Sequence, residues 1–314
     1  MDMKEFIRGA LALPEDGDKV EYYNLKGRVS GYILTAAQQN IPTPGYNYEA
    51  DITKFWDEFR KLKKERDYDI SFNTLMMRVL AECLKEAPRL NAHMEYDPFT
   101  TKGRLVIKKH IDVAMPIFLE NGETFPIKVR HIEGKNLEEL SAQIADMLER
   151  LKNTDLDSVL FDLITQRMVG FTLKGKVVSA VAQIASGFFG KYKLTTISEY
   201  FKPKPKKEGP ALQMNELNEG TVCLTNWGPL YKGLTGQVTY TPLLYPQVFL
   251  MAMGNIRDVE YPFKNEKGEV DLGTKKVLPI TLLFDHRIGG FADVMPFIKK
   301  LDEIFANPEI IHQW

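Results

Sequence analysis

The tetrad Phe284-Asp285-His286-Arg287 closes an apolar run that begins at Val277, and Gly289-Gly290 follows it. A histidine at a strand end, next to backbone that glycine leaves free to bend, suits proton transfer near neutral pH. The chain has five histidines. His93, His110 and His131 lie in or beside expected strands and His312 lies near the C-terminus, so His286 is the candidate. With no serine or cysteine nucleophile beside it, His286 fits general-base work on a substrate hydroxyl or thiol, with a hydroxyl donor elsewhere to receive an oxyanion. No two histidines have ligand spacing, and Cys83 and Cys223 are isolated, so no metal set is expected. G-x-G-x-x-G, G-x-x-x-x-G-K-[ST] and G-x-S-x-G are all absent, which removes the usual support for dinucleotide, NTPase and serine-hydrolase chemistry.

Three apolar segments deliver polar residues at their ends. Thr221 to Leu224 precedes Thr225-Asn226-Trp227-Gly228, Val248 to Met253 precedes Gly254, and Val277 to Phe284 precedes Asp285. These read as short buried strands. A helix after Gly290 carries Val294, Phe297, Ile298, Leu301, Ile304 and Phe305 on one side. Upstream, Leu25, Val29, Ile33 and Ala37 mark an amphipathic helix, and Tyr46, Tyr48, Ala50 and Ile52 share one face of a strand. Thr53 is the expected cap of a helix carrying Phe55, Trp56, Phe59 and Leu62; Ser71 caps one carrying Leu75, Val79, Cys83 and Leu84 that stops near Pro88. Strands are expected at Leu105 to Ile107, His110 to Ile117 and Phe125 to Val129, with Asn121-Gly122 turning the last two into a hairpin. Asn136 caps a helix with a Leu137, Leu140, Ile144, Leu148 and Leu151 stripe.

Leu156 to Phe201 reads as two further helices. In the second, Val177, Val178, Val181, Ile184, Phe188 and Phe189 share a face, for which core or subunit packing is expected rather than contact with a membrane. Lys202 to Lys207, KPKPKK, reads as an extended basic linker.

The whole chain has 314 residues, 44% hydrophobic and 26% charged, which bounds it to one large or two ordinary domains; the alternating helix and strand periods make it α/β. Lys+Arg 41 against Asp+Glu 42 gives a net charge of -1, which supplies no basic field for nucleic acid. Two cysteines are too few for a disulfide framework, and no secretory signal or spanning segment is read, so a cytoplasmic location is expected.

Leu84-Lys85-Glu86-Ala87-Pro88-Arg89-Leu90-Asn91-Ala92 resembles the L-K-x-x-P-x-L-N-A of the dihydrolipoamide acyltransferases, the E2 components of 2-oxoacid dehydrogenase complexes. Asn121 to Pro126 is similar to their D-G-x-x-x-P, Gly220 to Gly228 to their G-T-F-T-I-S-N-x-G, and Phe284 to Arg287 with Asn307-Pro308-Glu309 to their F-D-H-R and N-P-E. The resemblance implies a single 1–314 domain, an α/β two-layer sandwich of the chloramphenicol acetyltransferase type, assembled as a homotrimer whose acyl-donor and acceptor channels meet at subunit contacts. It implies acyl transfer with coenzyme A or acyl-CoA, or another acyl-thioester carrier, as substrate. His286 takes a thiol proton and Thr225, in the family's serine position, holds the oxyanion; Asn226, Asp285 and Arg287 support them.

Two departures stand out. The family reads H-x-x-x-D-G, whereas Gly290 and Phe291 occupy the last two positions here, which is expected to loosen the histidine loop unless Asp285 or Asp293 compensates. A segment at about 153–219 is longer than the family connection, and no lipoyl-bearing segment is read on the chain. The alternative is a catalytically impaired trimer that serves as a scaffold or ligand binder.

Overall fold

A computed structural model describes residues 14–98, 100–119, 124–173, 175, 177–190, 193–194, 209–217, 220–230, 233 and 236–314. The Asn121-Gly122 turn and the Lys202 to Lys207 stretch lie outside them. The chain divides into two compact units, Met1–Tyr32 with Asp155–Lys206, and Ile33–Thr154 with Lys207–Trp314.

The larger unit is built on a seven-stranded sheet. Its path runs β1 (Gly45–Asp51), β9 (Val270–Phe284), β7 (Phe249–Met253), β6 (Val222–Asn226), β4 (Val113–Phe118), β5 (Thr124–Val129), and β8 (Arg257–Lys264) also pairs with β9. The β4–β6 and β6–β7 pairs are parallel and the rest antiparallel. β2 (Ala92–Asp97) and β3 (Lys102–Ile107) form a separate ribbon.

Alternation divides the sheet residues between two faces. Phe249 packs on Phe297 of the C-terminal helix α7 (Phe291–Ala306), which places Val222, Leu224 and Asn226, with Phe284, on the helix-covered side. Cys223, Leu250, Ala252 and Leu283 pack with Ala37, Ile41 and Leu243 on the other. Helix α2 (Thr53–Glu65) sets Phe55 against Phe305, and α3 (Phe72–Glu86) buries Leu75, Met76, Val79, Leu80, Cys83 and Leu84. In helix α1 (Leu25–Asn40), the part from Ile33 onward buries Ala37.

The caps show where local signals hold. Ser71 accepts from Thr74 N at 3.0 Å, and Asn136 and Glu139 form a reciprocal box at the start of α4 (Leu137–Lys152). Thr53 is not a cap: Ile52 occupies that position without a side-chain bond, because the Thr53 hydroxyl donates to Asp51 and accepts from Lys276 N at 2.9 Å. β4 starts at Val113, not His110, because side chains take the preceding amides: Ile111 N donates to Glu133 Oε2 and Asp112 N to Thr221 Oγ1.

The smaller unit holds α5 (Leu156–Leu173) and α6 (Val177–Phe188). Much of the apolar face of α6, for which core or subunit packing is expected, is open in the single chain: Val178 is 84% and Val181 58% exposed, while Ala180 and Gly187 are buried. Small residues turn inward there, and Arg28 donates to Ser186 Oγ and O at 3.3 Å.

Candidate active site

His286 sits just past the end of β9, where the backbone is tied on both sides. Asp285 N donates to Val248 O and His286 N to Pro42 O, each at 2.9 Å. The imidazole is exposed, and its Nδ1 lies 3.0 Å from Gly289 O. A carbonyl only accepts, so Nδ1 carries the hydrogen and Nε2 keeps its lone pair for a substrate proton. The geometry suits a general base.

Asp285 is fully buried. Its Oδ1 accepts from Arg287 N and Nε at 2.9 Å, and its Oδ2 from Nη2 at 2.6 Å. Arg287 in turn lies over the Tyr96 ring, 5.4 Å from its centroid. Asp285 is therefore committed to Arg287 and makes no bond to the Gly289-Gly290 turn in the family aspartate's place. Asp293 does: its Oδ2 accepts from Gly290 N at 3.1 Å, and its Oδ1 pairs with Arg89 Nε at 3.1 Å. Arg89, from the Pro88–Leu90 turn, also donates through Nη2 to Ile288 O. Asp293 and Arg89 thus hold the turn that lacks the family aspartate, and Arg89 lies in the Leu84 to Ala92 motif, where no local pattern signals this role. Phe291, in the family's glycine position, packs edge-on against Tyr46 and Phe284 at 5.7 and 5.5 Å.

Thr225 lies within β6, 6% exposed, on the face opposite Asn226. It pairs in register with Ala252, and Ala252 with Thr281. His286 follows Thr281 by five residues. At about 3.4 Å per residue and about 5 Å per strand, the two candidates are separated by about 17 Å along the sheet and about 10 Å across it. One chain does not bring them together on one reacting atom.

Asn226 is held at both ends of its amide, Nδ2 donating to Asn73 Oδ1 at 2.6 Å and Oδ1 accepting from Gly228 N at 2.9 Å. It borders a cavity of ≈ 250 Å³ walled mainly by apolar groups, among them Met115, Ile117, Phe118, Leu224 and Pro229. Asn73 and Asn226 are the polar residues of its lining. The strand entry is equally constrained: a Cβ on Gly220 would lie 2.4 Å from Asp112 O, so only glycine permits this approach.

Among the described residues no group of three or more His, Cys, Asp or Glu is placed to hold a metal. No helix of the described residues is long and apolar enough to cross a membrane.

The chain matches the family model of the 2-oxoacid dehydrogenases acyltransferase (catalytic domain) over residues 18–160 and 197–312. It is 22% identical over 274 residues to the dihydrolipoyllysine-residue acetyltransferase component of the pyruvate dehydrogenase complex of Mycoplasma genitalium, covering 85% of this chain and 53% of the relative. It is likewise 22% identical to the succinyltransferase component of the 2-oxoglutarate dehydrogenase complex of Staphylococcus epidermidis, covering 88% and 50%. The chain thus spans about half the length of the curated relatives it matches. In structure it is similar to a dihydrolipoamide acetyltransferase of Azotobacter vinelandii, with TM-score 0.61, 17% identity and 95% and 97% of the two chains covered. The cubic core of the pyruvate dehydrogenase multienzyme complex matches with TM-score 0.60, 18% identity and the same coverage. The two-layer α/β fold is that of these cores, and the chain belongs to the 2-oxoacid dehydrogenase acyltransferase catalytic-domain family.

Proposed function

We propose that the chain is a coenzyme A-dependent acyltransferase of the E2 type, moving an acyl group between a thioester carrier and an acceptor thiol, hydroxyl or amine. The observation that carries this reading is His286, an exposed residue whose ring is anchored through Nδ1 to Gly289 O. Nε2 takes the proton of the attacking thiol, and the sulfur forms a new bond to the thioester carbon. When the tetrahedral species collapses, the C–S bond to the outgoing thiolate breaks and the imidazolium returns the proton to it. Thr225 Oγ1 donates to the oxyanion, which is worth about 3 to 4 kcal/mol of barrier.

Because Thr225 and His286 of one chain stand far apart, the reading places them at a contact between subunits of a homotrimer, each chain contributing its histidine to one neighbour and its threonine to the other. Coenzyme A enters as substrate, and no resident metal or cofactor is invoked. A lipoyl group, where it serves, is carried by another segment or another chain.

Gly290 in the family's aspartate position favours a second reading, a trimer that binds ligands without turning them over. A screen of acyl-CoA esters read by free thiol release separates the two. Turnover by the wild type with a loss of about 100-fold or more in His286→Ala supports catalysis, whereas equally slow release by both proteins overturns it.

A further inference from the structure

The peptide unit between Gly289 and Gly290 is gripped at both ends. Its carbonyl accepts from His286 Nδ1 at 3.0 Å, and its N–H donates to Asp293 Oδ2 at 3.1 Å. A trans peptide is planar and its C=O and N–H point in opposite directions, so a carboxylate that draws the N–H one way turns the carbonyl the other way, toward the imidazole. The preceding peptide is held as well, because Ile288 O accepts from Arg89 Nη2. Arg89 Nε closes the ring on Asp293 Oδ1. One guanidinium–carboxylate pair thereby pins the peptides on both sides of the Gly289 Cα.

The sequence shows why such a grip is required. Two consecutive glycines leave this turn with more freedom than any other residue pair would, and the carboxylate that the family places at position 290 is absent. Gly289 adopts φ 154°, and a Cβ there would lie 2.0 Å from Asp293 Oδ2, so glycine is needed to admit the carboxylate.

We propose that Arg89 and Asp293 are positioning residues for His286: together they orient the Gly289 carbonyl, which fixes the imidazole as the Nδ1–H tautomer with Nε2 free to accept a proton. The proposal rests on the reading of His286 as the base. With Arg89 47% and Asp293 29% exposed at their side chains, the pair contributes little to stability, and its effect falls on geometry.

The test uses the full chain with Arg89→Met, Asp293→Ala and the conservative Arg89→Lys. The His286 tautomer is read by 15N-detected imidazole correlations, and kcat and KM for an acyl-CoA ester are measured on the same samples, with melting temperatures as a control on folding. In the wild type, Nδ1 is the protonated nitrogen. In Arg89→Met and Asp293→Ala the Nε2–H form gains population, and kcat falls roughly 10- to 100-fold while KM changes little. Arg89→Lys folds with the charge retained and loses the two-pronged donor, and a partial loss is expected of it. An unchanged tautomer and kcat in all three variants overturn the proposal. If the wild type itself fails to turn over any ester, the functional reading fails, and the tautomer shift still decides whether the pair positions the ring.

Discussion

Thr225 occupies the cross-sheet row that contains Thr281, and His286 lies five residues beyond Thr281, so the two residues sit two strands and about five residues apart on one sheet. Within a single chain, strand rise and spacing put the two residues about 20 Å apart, several times the reach of a hydrogen bond.

This separation predicts complementation between subunits. His286→Ala and Thr225→Ala are each expected to lose about 100-fold or more of the activity alone. Co-expressed, they form mixed assemblies in which about a quarter of the contacts join an intact histidine to an intact threonine by random assortment. Thiol-release assays on the mixture check this, and a mixture as inactive as its parents shows that the groups do not meet across subunits.

The hydroxyl itself is separable from the threonine methyl. Thr225→Ala is expected to lower kcat by about 10²- to 10³-fold with KM little altered, whereas Thr225→Ser keeps the donor and most of the rate. Steady-state kinetics on the purified variants decide it. Equal losses in both would assign Thr225 to packing instead.

The two cysteines are expected to be inert in the folded protein. Burial pushes the Cys223 thiol up to about 12 and raises that of Cys83 as well. At pH 8 neither carries thiolate, and both are inaccessible. A chromogenic disulfide reagent should therefore label neither until denaturant is added, and fast labelling of the native protein would contradict this packing.

Acid stability follows from Glu133 and Glu216. Burial raises both carboxyls, but the Ile111 N–H and His110 outweigh it at Glu133, as Arg150 and the Gln213 N–H do at Glu216, leaving both below 4.5. A carboxylate with a folded-state pKa below its unfolded value stabilises the protein above the unfolded pKa. That contribution is lost as pH falls through the folded pKa. The melting temperature should thus drop below about pH 4.5, and Glu216→Gln, less stable at neutral pH, should approach the wild-type curve as the pH falls further below that value. Calorimetry across this range measures both.

Gly220 has no room for a side chain, since a Cβ would lie 2.4 Å from Asp112 O and 2.5 Å from Ala114 N. Gly220→Ala is expected to force β6 away from β4, costing about 1 to 3 kcal/mol or more. Denaturant unfolding reads the loss, and an unchanged midpoint would show that the strands have freedom to shift.

Short-range pattern was enough to place most of the elements that carry the candidate site. The Ser71 and Asn136 caps, the apolar runs that became β6, β7 and the end of β9, and the stripe of α7 are properties of neighbouring residues, which the backbone period exposes directly. Of the ribbon strand β2 only a strand in or beside His93 was legible, without its bounds, and β8 with its pairing to the first half of β9 was not. Ala92–Asp97 loses its apolar pattern after Met94, and Arg257–Lys264 and Val270–Lys276 are mostly exposed, so hydrophobic alternation carries no signal. The apolar face of α6 was legible, but its exposure was not, because burial depends on what the rest of the chain brings against it.

By itself the sequence determined that His286 ends a buried strand beside two glycines and that Thr225 lies in a partner segment. Only the tertiary structure decided that the two stand apart, because register joins residues that no local period relates. It also decided which carboxylate serves the histidine turn. Asp285 and Asp293 are equally plausible neighbours in sequence, and Arg89, about two hundred residues away, selects Asp293 because the Pro88–Leu90 turn brings the guanidinium to Asp293 Oδ1 and Ile288 O together.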